Sequence, residues 1–377
     1  MLCPSHCLET LNKLEVTFYT GIPDSLLKEF CACLTDTVSE DNHLIAANEG
    51  AAVGLAIGNH IATGKIPLIY MQNSGLGNAI NPLLSLASPD VYQIPLVLMI
   101  GWRGAPGTPD EPQHIHQGRV TLKMLEDMDI PHIILSDSQH ECDRQIKKMI
   151  EKAQELSGPV ALIVKTGTFS TYKFRKSTVG EKKFSRERAI TTAIEHLNKS
   201  EVIVCTTGMA SRELFELRSK KNLSLARDFL TVGGMGHASQ IALGIAKSRP
   251  DEKVVCFDGD GAVLMHMGSL AIIGQSGCSN FLHIVLNNGV HDSVGGQPTI
   301  GKSIKLTEVA LACGYVSSIK AQDDNSLSLA ISKLSSMDGP NFIEIAISPG
   351  NRKGIGRPTS MPHENKELLM RSLSRSS

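Results

Sequence analysis

The chain has 377 residues, enough for two or three domains of ordinary size, and 41% of them are hydrophobic, ample for buried cores. A formal net charge of −1 leaves no basic field to hold nucleic acid or an anionic membrane surface. No apolar run approaches the ~20 residues of a membrane span, and the first residues lack the basic region and apolar core of a secretory signal.

In chain order, Val16–Thr20 is the first predicted strand. The turn Gly21-Ile22-Pro23-Asp24-Ser25 follows it, then a helix over Leu26–Leu34 for which Asp24 and Ser25 are good N-caps. Leu44–Ala47 is a second short strand, and Asn48-Glu49-Gly50 leads into a helix of small residues over Ala51–Thr63. Its glycines and alanines suit close backbone contact with another helix. Pro67–Met71 is a third strand and ends in the polar glycine loop Gln72–Asn78. Ile94–Ile100 is a fourth, followed by Gly101-Trp102-Arg103-Gly104 and a long loop to Gly118. Ile133–Leu135 and Val160–Val164 complete this half.

Thr168–Arg188 is polar, basic and without periodicity, which reads as a linker. The alternation then resumes with a helix over Ala189–Leu197, a strand over Val202–Thr206, Gly208, and a helix over Glu213–Lys221. The glycine turn Gly233-Gly234-Met235-Gly236-His237 opens a helix over Ala238–Lys247. Val254–Phe257 is a buried strand ending in Asp258-Gly259-Asp260-Gly261, with one helix expected over Ala262–Gly274. Phe281–Leu286 is the next strand and ends in Asn287-Asn288-Gly289. Further elements are expected at Leu306–Cys313 (helix), Tyr315–Ile319 (strand), Ser326–Lys333 (helix) and Asn341–Ile347 (strand). The tail after Pro362 is charged and serine-rich, read as a frayed helix. Strands alternating with helices in both halves predict an α/β protein of two doubly wound parallel sheets.

Nine cysteines are scattered along the chain, and Cys205 and Cys256 fall inside strands. The odd count and this setting point to buried, reduced thiols in a cytoplasmic protein. Cys31-Ala-Cys33 and His114-Ile-His116 lack a second pair at zinc spacing.

The chemistry concentrates at strand ends. Asp260 and Asn288 lie 28 positions apart, the length of a strand–helix–strand crossover. Parallel strands present their carboxyl ends on one edge, so the two should share a crevice. An aspartate and an amide oxygen are hard ligands suited to Mg²⁺, which usually keeps phosphate in its shell. Either piece alone is an ordinary turn. Gly-Gly-Met-Gly-His-Ala lacks the third glycine and the ribose acid of a dinucleotide fingerprint.

Gly-Asp-Gly followed by just under thirty residues and Asn-Asn resembles the thiamine-diphosphate signature, and the whole chain resembles the two-domain thiamine-diphosphate decarboxylases. That layout implies a pyrimidine-binding domain over 1–168, a linker over 169–188, a diphosphate-binding domain over 189–360, a charged tail over 361–377, and no central third domain. The short layout is similar to that of the phosphonopyruvate and sulfopyruvate decarboxylases. Segments such as TGIPDSLLKEFC, GWRGAPGTPDEPQHIHQG and LNNGVHDSVGGQPT look closer to the former.

The resemblance implies thiamine diphosphate and Mg²⁺ as cofactors, with Asp260, Asn288 and the Val290 carbonyl as metal ligands. It further implies cofactor contacts from Gly208, Gly234, Met235, Gly236, His237, Gly259, Gly261 and Ala262. Met235 matches the apolar prop of the cofactor. Glu49 matches the acid that exchanges a proton with the aminopyrimidine, and burial in an apolar crevice would raise its pKa. The histidine pair of the larger pyruvate decarboxylases is absent, since Gln72, Asn73 and Ser74 stand in that loop. Asp24 and His291 are therefore the candidates for proton handling.

The implied reaction is decarboxylation of 3-phosphonopyruvate to phosphonoacetaldehyde in the biosynthesis of phosphonates such as 2-aminoethylphosphonate. Arg103, Arg119, Arg352 and Lys353 are candidate holders of the anion. Family members assemble so that active sites form at subunit interfaces, which implies a homodimer or higher homo-oligomer. Sulfopyruvate decarboxylase, a pyruvate-type carboligase and a non-catalytic cofactor-binding regulatory subunit are the alternatives.

Overall fold

The computed structural model describes residues 1–176 and 184–374. It divides into two compact units, Met1–Ser177 and Thr178–Ser377. Part of the expected linker, residues 177–183, lies outside the described residues.

In the first unit the order is α1 (Pro4–Lys13), β1 (Tyr19–Gly21), α2 (Lys28–Thr37), β2 (His43–Ile45), α3 (Glu49–Thr63), β3 (Leu68–Gln72) and α4 (Leu76–Pro82). Then come β4 (Leu96–Gly101), α5 (Pro112–Asp127), β5 (His132–Ile134), α6 (Gln139–Leu156) and β6 (Pro159–Val164). The six strands form one sheet in the order β2-β1-β3-β4-β6-β5, every neighbouring pair parallel. Parallel strands are covered on both faces, so they read as continuous apolar runs. Every residue of β4 and β6 is buried.

The second unit runs α7 (Arg186–His196), β7 (Val202–Cys205), α8 (Met209–Lys220), β8 (Asp228–Leu230), α9 (Ala238–Ser248), β9 (Val254–Gly259), α10 (Asp260–Met265) and α11 (Gly268–Gly274). It continues with β10 (Phe281–Asn287), α12 (Leu306–Cys313), β11 (Ser317–Ala321), α13 (Asp324–Ser335), β12 (Asn341–Ala346) and α14 (Pro362–Ser374). Its sheet order is β11-β12-β10-β9-β7-β8, again all parallel. Counted within each unit, both sheets have the same order, 2-1-3-4-6-5. Both are doubly wound, and in each the chain reverses direction beside the first strand, where open α/β sheets bind ligands.

Several elements differ from expectation for local reasons. β1 starts at Tyr19 because Glu15, at φ 62, and the bond from Val16 N–H to the Leu11 carbonyl first close the end of α1. α2 starts at Lys28 because Asp24 holds a turn, its Oδ2 accepting the Leu26 N–H at 2.9 Å. The segment expected as one helix over Ala262–Gly274 is two, broken at His266, whose backbone leaves the helical region at φ −132, ψ 49. Part of the long loop to Gly118 is helix α5, with Pro112 in its first turn. The tail helix α14 buries Asn365 and Leu369 and is docked along β8.

Candidate active site

β8, β7, β9 and β10 are consecutive neighbours, so the loops after them line one edge of the second sheet. Asp260 follows β9 and is only 2% exposed. Its carboxylate accepts from the Thr299 hydroxyl and from the main-chain N–H groups of Asn288 and Gly261. Burial raises its pKa, although these hydrogen bonds oppose the shift. Asn288, buried after β10, donates from Nδ2 to Asp292 at 2.7 Å and accepts the Val290 N–H on Oδ1 at 3.0 Å. The loop after Asn288 folds back on the site: Val290 bridges Pro298, and the Thr299 N–H reaches the Gly289 carbonyl. A Cβ on Gly301 would lie 2.5 Å from Asp260 Oδ2. The buried Asn287 Oδ1 beside it has no hydrogen-bond partner among the described residues.

The glycine turn after β8 meets the start of α10. A Cβ on Gly261 would lie 3.3 Å from Met235 Cε and 3.2 Å from His291 Cε1, so these three residues come together. The His237 and His266 rings pack with centroids 4.6 Å apart, and Gly236 lies against Ala262 and His266. Gly208 and Gly259 open onto free space, and Gly234 nearly so. Desolvation lowers the His291 pKa to about 4, leaving its ring neutral at neutral pH. A buried carboxylate, an amide oxygen and a main-chain carbonyl form a hard donor set. Beside glycine backbones with open space above them, it fits a divalent cation carrying a diphosphate.

On the first sheet, Glu49, Asp24 and Arg103 follow the strands β2, β1 and β4, and Gln72 ends β3 between the last two, all at the corresponding edge. Glu49 is the first residue of α3, whose N-cap Asn48 accepts the Ala51 N–H at 2.9 Å. It is 5% exposed, receives Asn78 Nδ2 at 2.8 Å and is pressed on Gly75. Asp24 is fully buried and accepts from Gln72 Nε2 at 2.6 Å. Burial raises its pKa, although Gln72 and the Leu26 N–H oppose the shift.

The candidate anion-binding arginines are not gathered at one point. Arg103 chelates Asp110, with Nε at 2.8 Å, and donates to Ser25 at 2.8 Å. Arg119 is exposed on α5 and contacts His116. Arg352 pairs with Glu187 and Glu216 and, with Lys353, borders a cavity of about 490 Å³.

The sequence reading missed Thr299, Gly301, Gln297 and Asp292. Gln297 is fully buried, and neither amide atom has a hydrogen-bond partner among the described residues. Only the loop's density of glycine and polar residues signals them. Cys256, Asp258 and His283 also cluster, within 4.8 Å of one another, inside the sheet, where His283 Nδ1 meets the Tyr315 hydroxyl at 3.0 Å. Among the described residues no helix is long and apolar enough to cross a membrane.

Comparison with known proteins accounts for both units. The family model "Thiamine pyrophosphate enzyme, N-terminal TPP binding domain" matches residues 5–127, and "Thiamine pyrophosphate enzyme, C-terminal TPP binding domain" matches 204–345. Phosphonopyruvate decarboxylase of Streptomyces viridochromogenes is 35% identical over 94% of this chain and 90% of its own. That of Streptomyces hygroscopicus is 34% identical over 97% and 92%. Sulfopyruvate decarboxylase of Methanosarcina acetivorans is 27% identical over 96% and 95%. The chain belongs to the phosphonopyruvate decarboxylase family of thiamine-pyrophosphate-dependent decarboxylases.

Proposed function

We propose that this decarboxylase converts 3-phosphonopyruvate to phosphonoacetaldehyde and carbon dioxide, with thiamine diphosphate held through Mg²⁺, as a step in phosphonate biosynthesis. The observation that carries the reading is similarity along nearly the whole chain to two phosphonopyruvate decarboxylases, at 34% and 35% identity. When bound, the cofactor supplies the nucleophilic carbon and the electron sink for loss of carbon dioxide.

The chain's own residues divide the remaining work. Asp260, Asn288 and the Val290 carbonyl would hold the cation, and the backbone at Gly259, Gly261 and Ala262 would take the diphosphate. Met235, against Gly261, would give the cofactor an apolar contact, with Gly208, Gly234, Gly236 and His237 lining the same place. Glu49, buried and held by Asn78, would be the acid that exchanges a proton with the cofactor when it is bound. Asp24, whose raised pKa favours carrying a proton, and His291, whose neutral ring can accept one, serve the proton steps after decarboxylation. Among the arginines, Arg103 is the favoured holder of the phosphonate, because it shares an edge with Asp24 and an incoming dianion can exchange with Asp110.

The functional unit is a homodimer or larger homo-oligomer. Supporting this, the outer face of α3 leaves Leu55 and Ile61 exposed beside Gly54 and Gly58, which have nothing packed on them. Cytoplasmic location is supported by nine cysteines that are all free thiols.

Sulfopyruvate decarboxylation is the second reading, favoured by the 27% identical full-length relative. The test is carbon dioxide release from phosphonopyruvate, sulfopyruvate and pyruvate, side by side, with both cofactors present. Preference for phosphonopyruvate supports the proposal, whereas preference for sulfopyruvate replaces the substrate. No turnover with cofactor bound points to a regulatory subunit.

A further inference from the structure

Asn288 works as a metal ligand only if its amide faces the right way, because a half-turn would present an NH₂ group to the cation. Three segments besides its own fix that orientation. Asp292 Oδ2 accepts Asn288 Nδ2 at 2.7 Å, and only the NH₂ end of an amide can donate to a carboxylate. The opposite end, Oδ1, is oriented by the Val290 N–H at 3.0 Å and keeps a second lone pair. Asp292 is itself held by the Gly350 N–H, at 3.0 and 3.1 Å to its two oxygens, and by Arg186 Nη1 at 3.3 Å. Arg186 grips Glu213 in turn, Nε to Oε2 at 2.9 Å and Nη2 to Oε1 at 3.2 Å. It also donates to the Asn351 amide oxygen.

The side chains of Arg186, Glu213 and Asp292 are only 8%, 2% and 12% exposed. They come from the start of α7, from α8 and from the loop after β10, joined by the loop after β12. Two buried carboxylates share the Arg186 guanidinium, and the Asn288 NH₂ group supplies Asp292 with a further donor.

We propose that Asp292, backed by Arg186 and Glu213, is a positioning residue that sets the cation affinity of the site by locking the Asn288 amide. The proposal rests on the reading of Asp260, Asn288 and Val290 as the Mg²⁺ ligands. Partners of metal ligands behave this way generally, and losing one typically weakens metal binding by about 10- to 100-fold.

The experiment uses the full chain and its Asp292→Ala and Asp292→Asn variants. Equilibrium dialysis with thiamine diphosphate at fixed concentration gives the Mg²⁺ concentration for half-maximal cofactor retention. Asp292→Ala is expected to raise that midpoint by roughly 10- to 100-fold. Asp292→Asn keeps an acceptor but loses the charge, and should raise it less. Retention in both should return at high Mg²⁺, which repair of a merely structural defect would not produce. An unchanged midpoint in a folded variant overturns the proposal, as does a loss of retention that high Mg²⁺ does not restore. Should Asp292→Ala fail to fold, Asp292→Asn decides alone. Asp260→Ala separates the two levels. If it loses Mg²⁺-dependent retention while the Asp292 variants do not, only the positioning role falls; if it retains the cofactor normally, the ligand reading itself falls.

Discussion

The carboxylate of Glu49 is pressed so closely on Gly75 that a Cβ there would lie 2.5 Å from Oε1 and from Cγ. The loop after β3 thereby fixes the position of an acid borne at the start of α3. Gly75→Ala must displace Glu49 or the loop. If Glu49 is the proton-exchanging acid, turnover should fall by on the order of 100-fold, as misplacement by about 1 Å does elsewhere. Cofactor retention, which the proposal assigns to Asp260 and Asn288 of the second unit, should stay near wild type. Kinetics and dialysis on one preparation check this, and unchanged turnover would contradict it.

Gly301 stands in the same relation to Asp260. Gly301→Ala should push the carboxylate from its place beneath Thr299 and weaken Mg²⁺ binding by about tenfold or more. This reverses the Gly75→Ala signature: retention falls first, and turnover recovers when both cofactors are saturating.

α14 shields the edge strand β8. Asn365 accepts the Leu230 N–H at 3.0 Å and donates to the Asp228 carbonyl at 2.8 Å, so its amide stands in for a neighbouring strand. Asn365→Ala leaves both main-chain groups buried without that partner. We expect a loss of about 2–6 kcal/mol, at 1–3 kcal/mol for each orphaned group, measured by denaturant unfolding. Asn365→Asp should fall between, because it keeps only the acceptor.

The split between what could and could not be read beforehand follows the range of the interactions. Asp260, Asn288, Glu49 and Asp24 were legible because an apolar run followed by polar and glycine residues marks the carboxyl end of a parallel strand. The fold class came from the same alternation. β8 was missed because it has only three residues and begins with Asp228, whose charge Arg218 satisfies in a buried bidentate pair at 2.8 and 2.9 Å. α6 was passed over although Cys142, Ile146, Met149, Ile150 and Ala153 line one helical face. No local pattern announces Asp292, Arg186 and Glu213 as neighbours, since residues 186 and 292 meet only after the sheet has formed.

His43 gives the first unit a pH dependence. It is mostly buried, its Nε2 lies 2.8 Å from the Tyr70 hydroxyl, and burial, aided by Lys176, lowers its pKa to about 4. A histidine in the unfolded chain has a pKa near 6.5, so between about 6.5 and 4 the unfolded state binds the extra proton. Stability contributed by neutral His43 is therefore complete above about pH 6.5 and is lost as pH falls towards 4. The loss is roughly 3 kcal/mol by pH 4 for this shift. His43→Gln should flatten that part of the stability–pH curve; an unaltered slope would refute the assignment.

The most direct measurement pairs Glu49→Gln with Asp260→Ala and follows both cofactor retention and carbon dioxide release from phosphonopyruvate. The account places the proton-exchanging acid on one sheet and the cation anchor on the other. It predicts that Glu49→Gln retains thiamine diphosphate while its turnover drops by several orders of magnitude, roughly the scale at which a general acid–base group contributes. Asp260→Ala should lose Mg²⁺ and cofactor together. Full turnover by Glu49→Gln, or normal cofactor retention by Asp260→Ala, would contradict it.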